Sequence, residues 1–241
     1  MMSPPEPRAP RSNDAERAAI GIVSTGVANV EAVRAAFARL KRDTYAVETP
    51  EAVASAAFLV LPGVGSFESG MRALQDRGIV DPLVRRVSER RATLAICLGL
   101  QLLCDASDEA PDIEGLGCIP GRVSRFAADV RSPQLGWNRI DVSHESRFLR
   151  SGFMYFAHSY RLAELPEGWI GASCRHGARF VAAVERGGVL ACQFHPELSG
   201  ASGRRLLARW LDFAPLPTSG GAASAVADEA AAPLEGAGAP C

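Results

Sequence analysis

The chain has 241 residues, 47% hydrophobic and 22% charged, ordinary proportions for one large α/β domain or two small ones. Its formal net charge of −1 leaves no electrostatic footprint for nucleic acid or an anionic membrane. The opening stretch MMSPPEPRAPRSND is Pro-rich and polar, unlike a secretory signal, and no apolar run approaches the ~20 residues that span a bilayer. A soluble cytoplasmic protein is expected.

Residues 1–17 carry Pro and charge without periodicity, which predicts a disordered N-terminal extension. AIGIV (19–23) is a short continuous apolar run, as in a strand covered on both faces. Val30, Val33, Phe37 and Leu40 then repeat at helical spacing. AFLVL (57–61) is a second buried strand ending at the turn PGVG, and helical patterns follow to about Arg90. TLAI (93–96) reads as a third strand and LGLQLLCDA as the helix after it. The second half is strand-rich: GWNRIDV, FMYFAHSY, WIGASCRH, FVAAVE and VLACQF alternate with turns or charged pieces. A last amphipathic helix over 202–213 turns Leu206, Leu207, Trp210 and Leu211 inward. From residue 214 the tail is dominated by Ala, Gly, Pro and Ser and is expected to be disordered. One domain over residues 18–213 remains, with a largely parallel sheet, helices on both faces and an added strand-rich section. Active sites in such sheets gather at the carboxyl ends of the strands.

Six cysteines stand at 97, 104, 118, 174, 192 and 241. None forms a CxxC pair, and the four histidines do not flank them at metal-ligand spacing, so neither a disulfide framework nor a metal site is expected. No cofactor is expected either.

Cys97 lies between TLAI and the helix LGLQLL, a strand-to-helix turn that exposes a side chain above a helix N-terminus. The amides there favour thiolate, and Ala95 and Gly99 supply the small neighbours that such a turn needs. On this pattern alone a buried structural cysteine is an equal reading. VLACQF ends in His195-Pro196-Glu197, where proline stiffens the backbone between the ionisable groups. A thiol nucleophile needs a base that can return the proton to a leaving amine, and a carboxylate that orients the imidazole. His195 and Glu197 offer both. His158, in FAHSY, is a rival base without a carboxylate within two positions, whereas His144 and His176 sit in polar segments as surface residues. Pro62-Gly63-Val64-Gly65 is a turn whose backbone N–H groups can face an anion, although a plain strand-to-helix turn explains it equally. No GxxxxGK[ST] is present, which excludes a P-loop.

LPGVGSFESGMRAL, AICLGLQLLCDASDE, PQLGWN, YFAHSY and QFHPELS, in this order, resemble the class I glutamine amidotransferases, over about residues 19–213. PGVGSF and GWN look most like the glutaminase subunits of imidazole glycerol phosphate synthase within that family. The resemblance implies a three-layer, flavodoxin-like α/β fold and hydrolysis of L-glutamine through a thioester on Cys97. His195 and Glu197 would complete the catalytic triad. The Leu98 N–H and the turn at Val64 and Gly65 would form the oxyanion hole. Gln101, Glu109, His158, Ser159 and Tyr160 match positions that hold glutamine. Leu135, Trp137, Tyr155 and Leu198 match the face toward a (β/α)8 cyclase barrel, which in a heterodimer would receive the ammonia for histidine biosynthesis.

The sequence also departs from the family. Ser24-Thr25-Gly26 stands where Asp-Tyr-Gly is usual, Ala95 where Gly opens the elbow, and Leu198 where a Lys pairs with the barrel. These changes spare the triad but leave room for a paralogue that feeds another synthase, acting on a sugar or secondary metabolite. A catalytically silent scaffold on the same fold is the third reading.

Overall fold

The computed structural model describes residues 18–24, 29–143 and 145–213. The two terminal segments expected to be disordered, and with them Thr25, Gly26, His144 and Cys241, lie outside the described residues.

Strand β1 (Ile20–Val23) leads to helix α1 (Val30–Ala38), β2 (Thr44–Val47), α2 (Pro50–Ser55) and β3 (Phe58–Leu61). Helices α3 (Phe67–Asp76) and α4 (Val80–Ser88) precede β4 (Thr93–Ile96) and α5 (Leu98–Leu103). Eight strands follow before one further helix, the first seven being β5 (Cys104–Ser107), β6 (Ile119–Arg125), β7 (Gln134–Val142), β8 (Gly152–His158), β9 (Tyr160–Leu162), β10 (Ile170–His176) and β11 (Ala178–Arg186). After β12 (Val189–Cys192) a single 3-10 turn (Pro196–Leu198) enters α6 (Gly200–Leu211).

Nine strands form one sheet in the order β2-β1-β3-β4-β12-β11-β10-β7-β8. From β2 to β12 every neighbour is parallel, and from β12 to β8 every neighbour is antiparallel. The strand-rich half thus extends the parallel sheet edge to edge, while β5-β6-β9 make a small second sheet. Alternation along the buried strands feeds two cores. Phe58 and Val60 of β3 face one cluster with Phe37 of α1 and Trp210 of α6, whereas Leu59 and Leu61 face another with Val53, Leu74 and Leu83. This is the three-layer arrangement expected. Trp210 closes its side by meeting Phe58 edge-on at 5.3 Å and donating its indole N–H to Gly188 O at 3.1 Å.

Several boundaries differ from the sequence reading. The helix after Cys97 stops at Leu103, because Cys104–Ser107 pairs in parallel with β6 instead of continuing the coil. FMYFAHSY breaks at Ser159, giving β8 to the large sheet and β9 to the small one. The edge strand β2 and the six-residue helix α2 were not expected, although Thr49-Pro50 is a capping signal and the Thr49 hydroxyl accepts from Ala52 N–H at 3.3 Å. His176 is half-buried, bonded to Arg131 O at 2.6 Å and edge-on to Phe126, because β10 folds back into the sheet.

Candidate active site

Strand β4 delivers Cys97 at its carboxyl end with φ 52° and ψ −106°, a backbone conformation that costs energy in an L residue. Cys97 N–H donates to Cys192 O at 2.7 Å, which ties the turn to the neighbouring end of β12. Helix α5, all six residues buried, begins immediately after it. Gly99 is required there, since a Cβ would run into the carbonyl oxygen of Leu61 at the end of β3. The same crowding seats the PGVG turn directly on Leu98, and Gly65 in that turn has φ 106°. Val64 and Gly65 are exposed at the mouth, and the Leu98 amide belongs to the first helical turn, where N–H groups have no intrahelical partner.

His195 leaves the end of β12 into the space beside Cys97. Its N–H donates to Tyr155 O of β8 at 2.9 Å, and its ring Nδ1 lies 2.8 Å from Glu197 Oε1. Both side chains are nearly closed to solvent, at 6% and 3% exposure. A carboxylate oxygen only accepts, so Nδ1 carries the proton and Nε2 is left for the Cys97 sulfur. Burial pushes the imidazole pKa down, but hydrogen bonding and charge attraction from Cys97 and Glu197 outweigh it, raising the group to about 10. The pair therefore favours a charged imidazolium facing sulfur. Burial pushes the Cys104, Cys174 and Cys192 thiols up and Cys118 to about 11, so these four stay protonated.

His158, the rival base, is held elsewhere. Its Nδ1 donates to Tyr160 O at 2.8 Å, and Phe126, Phe156 and Phe180 surround the ring. Burial pulls its pKa down to about 4, so it is neutral at physiological pH. Gln101 is buried behind Cys97 and donates to Tyr160 O at 3.1 Å and to Gln193 Oε1 at 3.2 Å. Glu109 accepts from Phe67 N–H at 2.8 Å, which braces the start of α3 beside the PGVG turn. Ser159 is half-buried between β8 and β9, its carbonyl accepting from Phe126 N–H at 3.2 Å, and Tyr160 packs under Arg125.

Sequence reasoning missed three residues. Gln193 donates to the Cys97 sulfur at 3.7 Å and is fully buried. Ser199 accepts from Tyr155 N–H at 3.0 Å and donates to His195 O at 2.6 Å, stapling the histidine turn to β8. Phe153, 57% exposed, joins Leu135 at 69% and Trp137 at 54% on an apolar outer face of β7 and β8. The signal for Gln193 was present, a polar residue closing the apolar run VLAC. Trp137 meets half-buried Tyr155 edge-on at 6.0 Å, and Leu198 lies exposed on the turn after His195. Among the described residues no group of three or more His, Cys, Asp or Glu side chains is placed to hold a metal ion, and no helix is long and apolar enough to cross a membrane.

The family model described as glutamine amidotransferase class-I matches residues 22–212, which spans both motifs and all of the sheet but the first two residues of β1. The chain belongs to this family. A relative from Syntrophotalea carbinolica, the imidazole glycerol phosphate synthase subunit HisH, is 39% identical over 205 residues, 80% of this chain and 100% of the relative. The chloroplastic imidazole glycerol phosphate synthase hisHF of Arabidopsis thaliana is 38% identical over 208 residues, 83% of this chain but 35% of that longer protein. A solved structure described as a glutamine amidotransferase superposes with TM-score 0.66 at 26% identity, covering 81% of this chain and 98% of the other. Class-I amidotransferase architecture thus accounts for the fold, and the elbow cysteine and His-Glu pair occupy its strand ends.

Proposed function

We propose that this chain is a glutaminase subunit that hydrolyses L-glutamine to glutamate and passes the ammonia to a synthase partner. The observation that carries the proposal is the strained elbow at Cys97 facing a buried His195–Glu197 pair 2.8 Å apart. The catalytic unit is the stretch 18–213, which the family match over 22–212 supports.

In this reading Cys97 gives its proton to His195 Nε2, and the thiolate attacks the side-chain carboxamide of glutamine. The tetrahedral oxyanion is met by the Leu98 N–H and by an N–H of the turn at Val64 and Gly65. His195 returns the proton to the leaving nitrogen, ammonia departs, and water then cleaves the glutamyl thioester through the same imidazole. Glu197 accepts from Nδ1–H throughout, which orients the ring and stabilises the imidazolium formed when Nε2 takes the proton. Glu109, Gln101 and the His158-Ser159-Tyr160 segment hold the two ends of the amino acid. The steps draw on protein groups and water alone, and a reducing cytoplasm suits a reactive thiol.

The partner is the cyclase subunit of an imidazole glycerol phosphate synthase, a (β/α)8 barrel docking as a heterodimer on Leu135, Trp137, Phe153, Tyr155 and Leu198. Support comes from relatives that are named as subunits of that synthase and from the apolar face those side chains make. Glutamate release should rise when the purified chain is mixed with such a cyclase and its ligand. Labelling by a diazo-ketone glutamine analogue should be lost in Cys97→Ala. No labelling of the wild type with partner present would leave only a silent scaffold. A second reading keeps this chemistry and changes the acceptor, because Leu198 makes the rim apolar where a Lys is usual. Glutaminase activity that responds to another synthase and not to the cyclase would favour it.

A further inference from the structure

We propose that Gln193 is a positioning residue that links Gln101 to Cys97 and presents an N–H to the sulfur, favouring its thiolate. The inference rests on the reading of Cys97 as nucleophile, and adds a group that triad reasoning does not include.

The polarity of the linkage follows from one backbone atom. A carbonyl oxygen can only accept, so Tyr160 O obliges Gln101 to turn its amide nitrogen toward it, at 3.1 Å. The same nitrogen stands 3.2 Å from Gln193 Oε1, so both of its protons are committed. Gln193 must therefore offer oxygen to Gln101 and its own nitrogen to Cys97, where Nε2 lies 3.7 Å from Sγ. Amide orientations are ordinarily a matter of assignment, and here the carbonyl at one end of the chain fixes all of them. His158 Nδ1 shares that carbonyl at 2.8 Å, anchoring it from a second side. Gln193 itself cannot drift, because it is fully buried and its N–H is bonded to Ala182 O at 2.8 Å.

The sulfur consequently stands between two opposed groups. Ala157 O, 3.8 Å away, can accept the thiol proton and favours S–H. Gln193 can only donate and favours S⁻, and its bond strengthens once the acceptor is charged. The titratable groups near the sulfur are His195 and Glu197 on the segment after β12, and His158 at the end of β8. Gln193 is neutral, so its influence is directional, not a matter of net charge. A displacement of the Gln101 side chain would reach the Cys97 sulfur through Gln193.

The test is the pH dependence of Cys97 alkylation by iodoacetamide in the full chain, read on the Cys97 peptide by mass spectrometry. Gln193→Glu keeps length and still accepts from Gln101, but replaces the N–H on sulfur by a carboxylate. Its alkylation midpoint should rise by about one pH unit or more. Gln193→Met removes both contacts and should raise the midpoint by less; if that variant does not fold, Gln193→Glu decides alone. An unchanged midpoint in folded Gln193→Glu, or a rate lowered equally at every pH, overturns the proposal. Alkylation needs no glutamine, so such a failure leaves the glutaminase reading intact, whereas absence of diazo-ketone labelling strikes that reading.

Discussion

The backbone N–H of His195 donates to the carbonyl of Tyr155 at 2.9 Å, joining the imidazole to the strand that carries the exposed apolar face. Ser199 reinforces the join from both sides, bonding Tyr155 N–H at 3.0 Å and His195 O at 2.6 Å. A load placed on the outer face of β8 thus has one hydrogen bond to cross before it reaches the site.

Ser199→Ala removes both of those contacts and leaves buried polar groups unpaired. We expect a loss of about 1–3 kcal/mol in stability by urea denaturation, with slower glutamine turnover. Wild-type turnover at wild-type stability would show that the staple does not position the imidazole.

Glu197→Gln keeps the shape of the orienting group and removes its charge. The His195 pKa should fall below its value of about 10, and turnover should drop at least about 100-fold. A raised histidine contributes stability in full below the unfolded pKa near 6.5, and loses it as pH rises through about 10. The wild type should therefore lose more stability than the variant between pH 7 and pH 10 in matched urea titrations.

His158 works in the opposite direction. Its folded pKa, lowered to about 4 by burial, means that the unfolded chain binds a proton first. Its stability contribution is present above pH 6.5 and is lost as pH falls through about 4. His158→Gln should flatten the decline in thermal midpoint between pH 7 and pH 5. An equally steep decline would show that other groups carry the acid sensitivity.

Arg86 is 1% exposed and donates to the carbonyls of Val53, Ala56, Ala57 and Ala92 and to the Thr93 hydroxyl. Burial holds its pKa down at about 9. Arg86→Met strands several buried carbonyls at once and should cost about 3–5 kcal/mol, measured as a lowered denaturation midpoint. A near-neutral result would mean that water replaces the guanidinium.

Trp137→Ala touches a side chain 54% exposed on the outer face. Stability should change by no more than about 0.5 kcal/mol, while affinity for the cyclase subunit falls about 10-fold to 100-fold by calorimetric titration. Leu165→Ala, an exposed apolar residue next to the small sheet, serves as the control and should leave affinity unchanged.

The parallel half of the sheet was legible because its strands are buried on both faces and read as uninterrupted apolar runs. TLAI matches β4 residue for residue. Strand β2 was not, since it lies at the edge with Tyr45 exposed and lacks such a run. The overrun of α5 has a different cause: Cys104–Ser107 is a strand only because β6, far along the chain, pairs with it. The same distinction holds at the site. Cys97, His195 and Glu197 announce themselves by residue type at strand ends, whereas Gln193 and Ser199 draw their importance from partners dozens of residues away.

Cys97 and His195 hang from adjacent parallel strands, β4 and β12, whose carboxyl ends are cross-linked by the bond from the Cys97 amide to Cys192 O. Neighbouring strands keep a spacing of about 4.8 Å, so the sheet itself acts as a ruler for the reacting pair. Evolution can then lengthen or rewrite the surrounding loops freely. Slipping either strand by one residue, in contrast, would turn its reactive group away from the other.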